Sequence, residues 1–407
     1  MSNNALVKKR YAAERRFKAY GLAAIGVTTA FLAFLILDIA IKAMPTFFVH
    51  EATLTVNVDP ALIDAANPVA GDYLGLTKKA LAAQFPDVTS RGDRKALNGI
   101  LSAGAADGLQ ERVLADPSLI GKDVTVPVAL NSGADLYLKG YATAQLSDRQ
   151  KAWLDALLEK GVISKGFAWN FLLNGDSREP ELAGIKGALI GSVLTIIVTL
   201  ALALPLGVAA ALYLEEFAPK NWLTDVIEIN INNLAAVPSI IFGLLGLAVF
   251  LNIFGVPRST PLVGGLVLAL LVLPTIIIAS RAALKSVPPS IKEAALGVGA
   301  SHQQAVFHHV LPLAIPGILT GTILGVARAL GETAPLLMIG MIAFIVDVPK
   351  GLTDAATVLP VQIFLWSDLP EQAFQSRTAA TIILLLLVLF AFNALAIYLR
   401  KRFERRW

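Results

Sequence analysis

Six stretches of the chain are apolar for long enough to cross a bilayer, and one long polar stretch separates the first from the rest. A transmembrane helix needs about 20 mostly apolar residues. The candidates are 19–41 (AYGLAAIGVTTAFLAFLILDIAI), 185–214, 233–254, 262–283, 313–346 and 378–399 (TAATIILLLLVLFAFNALAIYL). The fifth is too long for one straight crossing. Its 34 residues from Leu313 to Val346 would make a helix of about 50 Å against a hydrocarbon core of about 30 Å. Gly331 and Pro335 predict a break within it. Pro238 and Ser239 predict a kink in the third span, because proline removes a helix hydrogen bond that a serine hydroxyl partly replaces.

Between the first two spans, residues 44–182 change character. "EATLTVNVD" alternates, with Leu54, Val56 and Val58 on one face, and predicts a strand; "DVTVPVAL" and "DLYLKGYA" read the same way. "SDRQKAWLDALLEKG" predicts a helix. Ser147 with Gln150 forms a capping box, Trp153, Leu154, Leu157 and Leu158 form its apolar face, and Gly161 ends it. Roughly 140 residues suffice for one small α+β domain. This insert shows no catalytic constellation and reads as a docking or spacer domain.

Basic residues orient the spans. Residues 1–18 carry Lys8, Lys9, Arg10, Arg15, Arg16 and Lys18, and the tail RKRFERRW (residues 401–407 and the preceding Arg400) is basic as well. Lys and Arg in short flanks stay on the cytoplasmic side. Six spans return the chain to the side where it began, so both termini are expected in the cytoplasm. The segments 215–222 and 281–311, with Lys220, Arg281, Lys285 and Lys292, share that side. The insert and the segments 255–261 and 347–377 then face outward. The first span reads as an anchor. Its apolar run exceeds the roughly 7–15 residues of a signal-peptide core, and no clear A-x-A cleavage site follows.

Composition narrows the chemistry. Of the 407 residues, 56% are hydrophobic and 16% charged, against about 25% charged in soluble domains; the mean hydropathy is +0.66. The net charge of +4 gathers at span flanks, which is not a nucleic-acid footprint. The absence of cysteine removes disulfides, thiolate chemistry and Cys-based zinc sites. With neither an HExxH pattern nor a GxxxxGK[ST] loop, the chain is expected to bind no ATP by itself and to need no cofactor or metal.

The most informative soluble stretch is "SVPPSIKEAALGVGASHQQAVFHHVLPLAIPG", 286–317. Pro288 and Pro289 stop the fourth span. Ser290 with Glu293 predicts a capping box and a short helix from Ile291. Gly297 and Gly299 break that helix. Ser301 with Gln304 predicts a second cap and a second short helix, and Pro312 precedes the fifth span. Two short helices joined at glycines make a rigid projection suited to a partner's groove.

The run from Glu293 to Pro312 resembles the EAA loop, E-A-A-x-x-x-G followed by I-x-L-P, of bacterial ABC importer permeases. Glu293, Ala294, Ala295, Gly299, Leu311 and Pro312 match, and His309 stands at the Ile position. In that family the loop is a coupling helix that fits a groove in the ATPase subunit, so the resemblance implies an ATPase-coupling role for Glu293, Ala294, Ala295 and Gly299. It also implies a MetI-like permease core over residues 185–400, with the coupling loop at 286–312. "NNLAAVPSIIFGLLG" (232–246), "ARALGETAPLL" (327–337) and "DSREPELAGIKGALIGS" (176–192) are similar to the PstA-type permease subunits of phosphate importers, in the form with a large extracytoplasmic insert. That likeness implies a multi-pass protein of the bacterial inner membrane. Its partners would be a homologous permease, a dimer of ATPase subunits and an extracytoplasmic phosphate-binding protein, with inorganic phosphate as the cargo. Two rivals remain. One is a permease for another oxyanion, such as sulfate or molybdate. The other is a membrane sensor with an extracytoplasmic ligand domain, which has no need of an ATPase plug. An intramembrane enzyme would need a Ser/His, Asp/Asp or metal-ligand set that the spans lack.

Within the fifth span, Arg328 and Glu332 lie four residues apart and share a face of any helix containing both. A charge inside a span costs a few kcal/mol or more, so such residues face a cavity or a partner. Arginine's planar fork suits a tetrahedral oxyanion, with Glu332 tuning its grip. The resemblance adds Thr333 to this substrate path, and a helix break beside a charge is one way to build a midplane site. The alternative is a salt bridge that locks the span to its neighbour.

Overall fold

The computed structural model describes residues 3–64, 67–141 and 146–403. The chain begins with α1 (Asn3–Ala43) and passes directly into the insert. There β1 (Phe48–Asn57) is the central strand of a three-stranded antiparallel sheet, flanked by β2 (Asp123–Ala129) and β3 (Ile163–Phe167). Alternation sets its faces: Ala52, Leu54 and Val56 of β1 and Val124, Val126 and Val128 of β2 are buried. Among the described residues, six α-helices complete the insert: α2 (Tyr73–Ala83), α3 (Arg91–Asn98), α4 (Asp107–Ala115), α5 (Ser132–Leu138), α6 (Asp148–Glu159) and α7 (Trp169–Leu173). Leu76, Leu97, Leu109 and Leu154 join the valines in one core.

The cap of α6 forms as its residues require, with Ser147 and Gln150 bonding reciprocally and Gly161 following at φ +69. Its apolar face is narrower than expected, because Leu154 and Leu157 are buried while Leu158 is exposed. "DLYLKGYA" is not a strand. Its first half, Asp135 to Leu138, lies in α5, whose N-terminus is capped by Asn131 accepting from the Ala134 amide at 2.7 Å, and Ala142 lies outside the described residues. Asp135, buried, accepts from the His50 backbone amide at 2.9 Å. A cap and a buried polar tie outweigh an alternation of a few residues.

The remaining helices are α8 (Lys186–Leu212), α9 (Trp222–Ala235), α10 (Ser239–Gly246), α11 (Pro261–Lys285), α12 (Pro289–Gly297), α13 (His302–Ala305), α14 (Leu311–Gly331), α15 (Ala334–Met338), α16 (Leu359–Ser367) and α17 (Gln372–Phe403). Five helical runs among the described residues are long and apolar enough to cross a membrane, and α9 with α10 would make a sixth crossing bent by 101°. Helix α11 is the hub, packed between α8 and α14. Gly317 and Gly321 of α14 lie directly against Ala283 and Ala279 of α11. Small residues let transmembrane backbones approach closely, where packing rather than the hydrophobic effect holds helices together.

Three departures from the expected spans have physical causes. The fifth does not continue to Val346. Helix α14 stops at Gly331, and most of residues 339–358 is irregular, its backbone tied to the N-terminal end of α11 by Leu262 N–H to Leu352 C=O (2.9 Å) and Ala356 N–H to Ser259 C=O (2.7 Å). Irregular backbone at membrane depth is tolerated where protein satisfies it. The second short helix of the cytoplasmic loop is not separate either: α13 runs through a π turn, Val306–Val310, into α14 as one helix from His302 to Gly331. Finally, 347–377 is not simply an outer loop. It contains α16, whose Leu359, Val361 and Trp366 are buried and whose first amide donates to the Ser192 hydroxyl of α8 at 2.8 Å.

The insert and the 289–305 loop sit at opposite ends of the bundle. The insert adjoins the N-terminal ends of α8 and α17, where Arg377 donates to the Ala183 carbonyl. The loop adjoins the C-terminal ends of α8 and α11, where Lys285 pairs with Glu215 at 3.5 Å.

Candidate functional site

Three places gather the chemistry. The first is the broken helix that carries Arg328. Glu332 is not in the helix: it caps α14 in an extended conformation (φ −80, ψ 125). Arg328 and Glu332 still pair, Nε to Oε1 at 3.6 Å, a separation beyond hydrogen-bond reach. The Arg328 side chain is 38% exposed and that of Glu332 20%, so the arginine points off the outer face of the chain, in line with exposed Leu324. Gly325, one turn earlier, lies against Val272 and Ile276 in the middle of α11. Thr333 holds the next turn through its carbonyl, accepting from the Leu336 and Leu337 amides.

The break after α14 meets the break in the bent pair. Pro238 caps α10 at φ −55, ψ 134, and α10 packs on α15. A Cβ on Gly243 would fall 2.7 Å from the Pro335 Cα, so only glycine lets these short helices touch. Pro238, Gly331 and Pro335 thus belong to one discontinuity, with Arg328 and Glu332 at its margin.

The second place is the loop. Helix α12 starts at Pro289 with Pro288 as its cap and no side-chain cap bond, so Ser290 and Glu293 do not form a capping box. A proline at the first helical position has no N–H to satisfy and a φ already suited to the helix. Glu293 and Ala294 are exposed and Ala295 is buried. Gly299 takes φ +93, which reverses the chain between the two arms, and Ser301 caps α13 with Gln304 as its reciprocal partner. At the turn Val298 is 88% exposed and Leu296 42%, leaving an uncovered apolar tip.

The third place is a polar clamp between insert and bundle, for which the sequence offers only scattered charges at span boundaries. Asp176 accepts from Gln362 Nε2 and Trp366 Nε1, both at 3.0 Å, and from the Ser177 amide at 2.9 Å. Burial pushes its carboxyl above the usual carboxylate range, against the pull of those hydrogen bonds. Asp135 bonds His50 and Lys139, and Lys139 Nζ also donates to the Pro45 carbonyl at 2.7 Å. Burial lowers the Lys139 ammonium, with Asp135 opposing. A cavity of about 240 Å³ lies here, lined among others by Thr46, Glu51, Lys139, Trp169, Glu181 and Arg377. The clamp ties the segment after α1 and the segment before α8 to the insert, α16 and α17. No cluster of three or more potential metal ligands occurs among the described residues.

Comparison with known proteins matches two parts of the chain. Residues 4–148 match a domain of unknown function, DUF3333. Residues 203–407 match the binding-protein-dependent transport system inner membrane component family. The chain is 36% identical over 181 residues to a probable ABC transporter permease protein, YqgI, of Bacillus subtilis, covering 44% of this chain and 60% of that protein. It is 31% identical over 245 residues to the phosphate transport system permease protein PstA 1 of Mycobacterium tuberculosis, covering 60% of this chain and 80% of the relative. An inward-facing structure of the MetNI methionine ABC transporter aligns with a TM-score of 0.43 at 17% identity, over 54% of this chain and 96% of that one. With half of its length matching that family model, over the region that holds the loop and the broken helices, the chain belongs to the binding-protein-dependent transport system inner membrane components.

Proposed function

We propose that this chain is the permease subunit of an ATP-driven importer of inorganic phosphate. The loop 289–305 is its plug for an ATPase subunit, and the observation that carries this reading is the uncovered apolar tip at Leu296 and Val298, held out by two helical arms with Gly299 between them. Docking buries that tip, and small Ala294 and Gly299 let the partner's backbone come close. Phosphate as cargo is supported by the relative named for phosphate transport, of which the chain covers 80%.

The pathway runs beside the discontinuity of α10, α14 and α15, between this chain and a homologous permease. Arg328 offers the oxyanion two parallel donors. Glu332, 3.6 Å away, keeps the arginine from holding its cargo too tightly. The termini and the plug face the cytoplasm, and the insert faces outward, toward a phosphate-binding protein. The test is uptake of radiolabelled phosphate by vesicles holding the purified assembly, with ATP inside and sulfate as competitor. ATP-dependent uptake that excess sulfate leaves intact bears the reading out. Sulfate inhibition at equal concentration reassigns the cargo, and uptake without ATP removes the coupling role.

A further inference from the structure

The loop is gripped from beneath at one residue, and both of its arms reach that residue. From α12, Lys292 Nζ lies 2.6 Å from Glu216 Oε2. From α13, His302 Nε2 is 2.8 Å from the Glu216 main-chain oxygen, and its ring meets Phe217 edge-on at a centroid distance of 5.0 Å. Glu216 and Phe217 belong to a π turn, Tyr213–Phe217, that closes α8. The adjacent Glu215 serves the opposite side. Its Oε2 is 3.4 Å from Arg281 Nε and 3.5 Å from Lys285 Nζ, both on α11. Arg281 in turn pairs with Glu228 on α9.

These contacts form one continuous line from the loop to the end of α8, across to α11, and on to α9, the first half of the bent pair. Its inner members are sheltered: the side chain of Glu216 is 10% exposed and that of Arg281 14%. Exposed ion pairs exchange partners with water and transmit little. Sheltered ones hold a geometry, because separating them strands a charge. The line passes through a π turn, Tyr213–Phe217, beneath the loop. Such turns occur in short pieces and often at functional sites.

We infer that Glu216 is the positioning residue through which a push on the loop reaches the membrane helices, and that Glu215, Arg281 and Glu228 carry it to α9. The inference rests on the reading of the loop as an ATPase plug. It adds the route inside this chain. A displaced plug moves Lys292 and His302 together, and both pull on Glu216. The π turn moves with it, and Arg281 shifts α9 relative to α10 at the 101° bend.

The test uses the full assembly in nanodiscs and vesicles and reads three quantities: ATPase binding, ATP hydrolysis, and phosphate taken up per ATP. Glu216→Gln should leave ATPase binding within twofold of the parent, since Glu216 is beneath the loop and away from its tip. Uptake per ATP should fall at least tenfold. Lys292→Glu should lower uptake per ATP as well. The exchanged pair, Glu216→Lys with Lys292→Glu, should recover at least half of the lost coupling, and Glu228→Gln should uncouple without weakening ATPase binding. An unchanged ratio of uptake to ATP in Glu216→Gln overturns the inference. So does an exchanged pair that regains the parent's melting temperature but not its coupling, because Glu216 would then be a strut and nothing more. A parent chain that binds no ATPase overturns the plug reading, and the relay with it.

Discussion

Replacing Gly299 with alanine isolates the shape of the loop from its chemistry. Gly299 sits at φ +93, and no atom lies within 4 Å of the position a Cβ would take. The methyl group therefore meets no steric clash, and the whole cost is conformational. A left-handed backbone costs an L-residue about 1–2 kcal/mol, and a factor of ten in an equilibrium corresponds to about 1.4 kcal/mol. If only the tight reversal at Gly299 presents Leu296 and Val298 to the ATPase, the equilibrium constant favouring the docking shape drops by a factor of about 5 to 30. The apparent Kd for the ATPase subunit rises by up to the same factor. Gly297 provides the control. It is equally open to space, it ends α12, and it has no positive φ. Alanine there should leave the Kd unchanged or slightly lower, since alanine stabilises a helix relative to glycine. The assay is titration of the ATPase subunit onto permease in nanodiscs, with binding read by interferometry. Equal Kd values for Gly299→Ala and Gly297→Ala would refute the reasoning, as would unchanged uptake by Gly299→Trp.

Four further outcomes follow from the geometry. Arg328→Gln should abolish or strongly reduce uptake while the complex still assembles, and Arg328→Lys should recover only part of it; near-normal uptake by the exchanged pair Arg328→Glu with Glu332→Arg would reduce the pair to a scaffold. Asp176→Leu strands the Gln362 and Trp366 donors, at about 1–3 kcal/mol each, so the melting temperature in detergent should drop by several degrees; a shift under one degree would show the clamp to be dispensable. Burial raises the Asp176 carboxyl above its ordinary value of 3.8, so the native state holds that proton more tightly than the unfolded chain, and the stabilisation present at low pH is lost as pH rises through that window. The stability of Asp176→Asn relative to the parent should therefore rise with pH above about 4 and then level off, which melting curves from pH 3.5 to 7 would show. Protease added to spheroplasts should cut within 44–182 and spare the chain beyond Leu399; the reverse pattern would invert the topology.

What the sequence made legible was whatever depends on residues close together in the chain. Five long apolar runs appear as helices, Ser147 and Ser301 cap the helices they precede, and β1 and β2 bury the residues their alternation marks. The break at Gly331 was legible too, because a 34-residue apolar run is too long to cross straight. What failed needed partners far away. Helix α5 reads as a strand until Asn131 caps it and Asp135 finds His50, 85 residues distant. Helix α16 is too short to register as a span, and its burial comes from distant partners: Ser192 and Asp176, and the packing of Trp366 against Phe374. The clamp unites Asp135, Asp176, Glu181 and Arg377 from three separate segments, a set that no local pattern announces. The spacing of Arg328 and Glu332 placed both on one helix face, but Glu332 lies past the helix end and pairs from an extended backbone that a helical wheel does not represent.

Helix α9 has no buried residue along its 14 positions. It carries Asn232 and Asn233 among exposed Val226, Ile227, Ile229 and Leu234. Amide side chains facing hydrocarbon lose their hydrogen-bond partners, so an unassembled copy is a strained membrane guest. The concentration of a binding partner sets the stability of such a chain as much as its own contacts do. A cell that makes this subunit in excess should therefore clear the surplus by proteolysis, keeping subunit ratios balanced without matching synthesis rates.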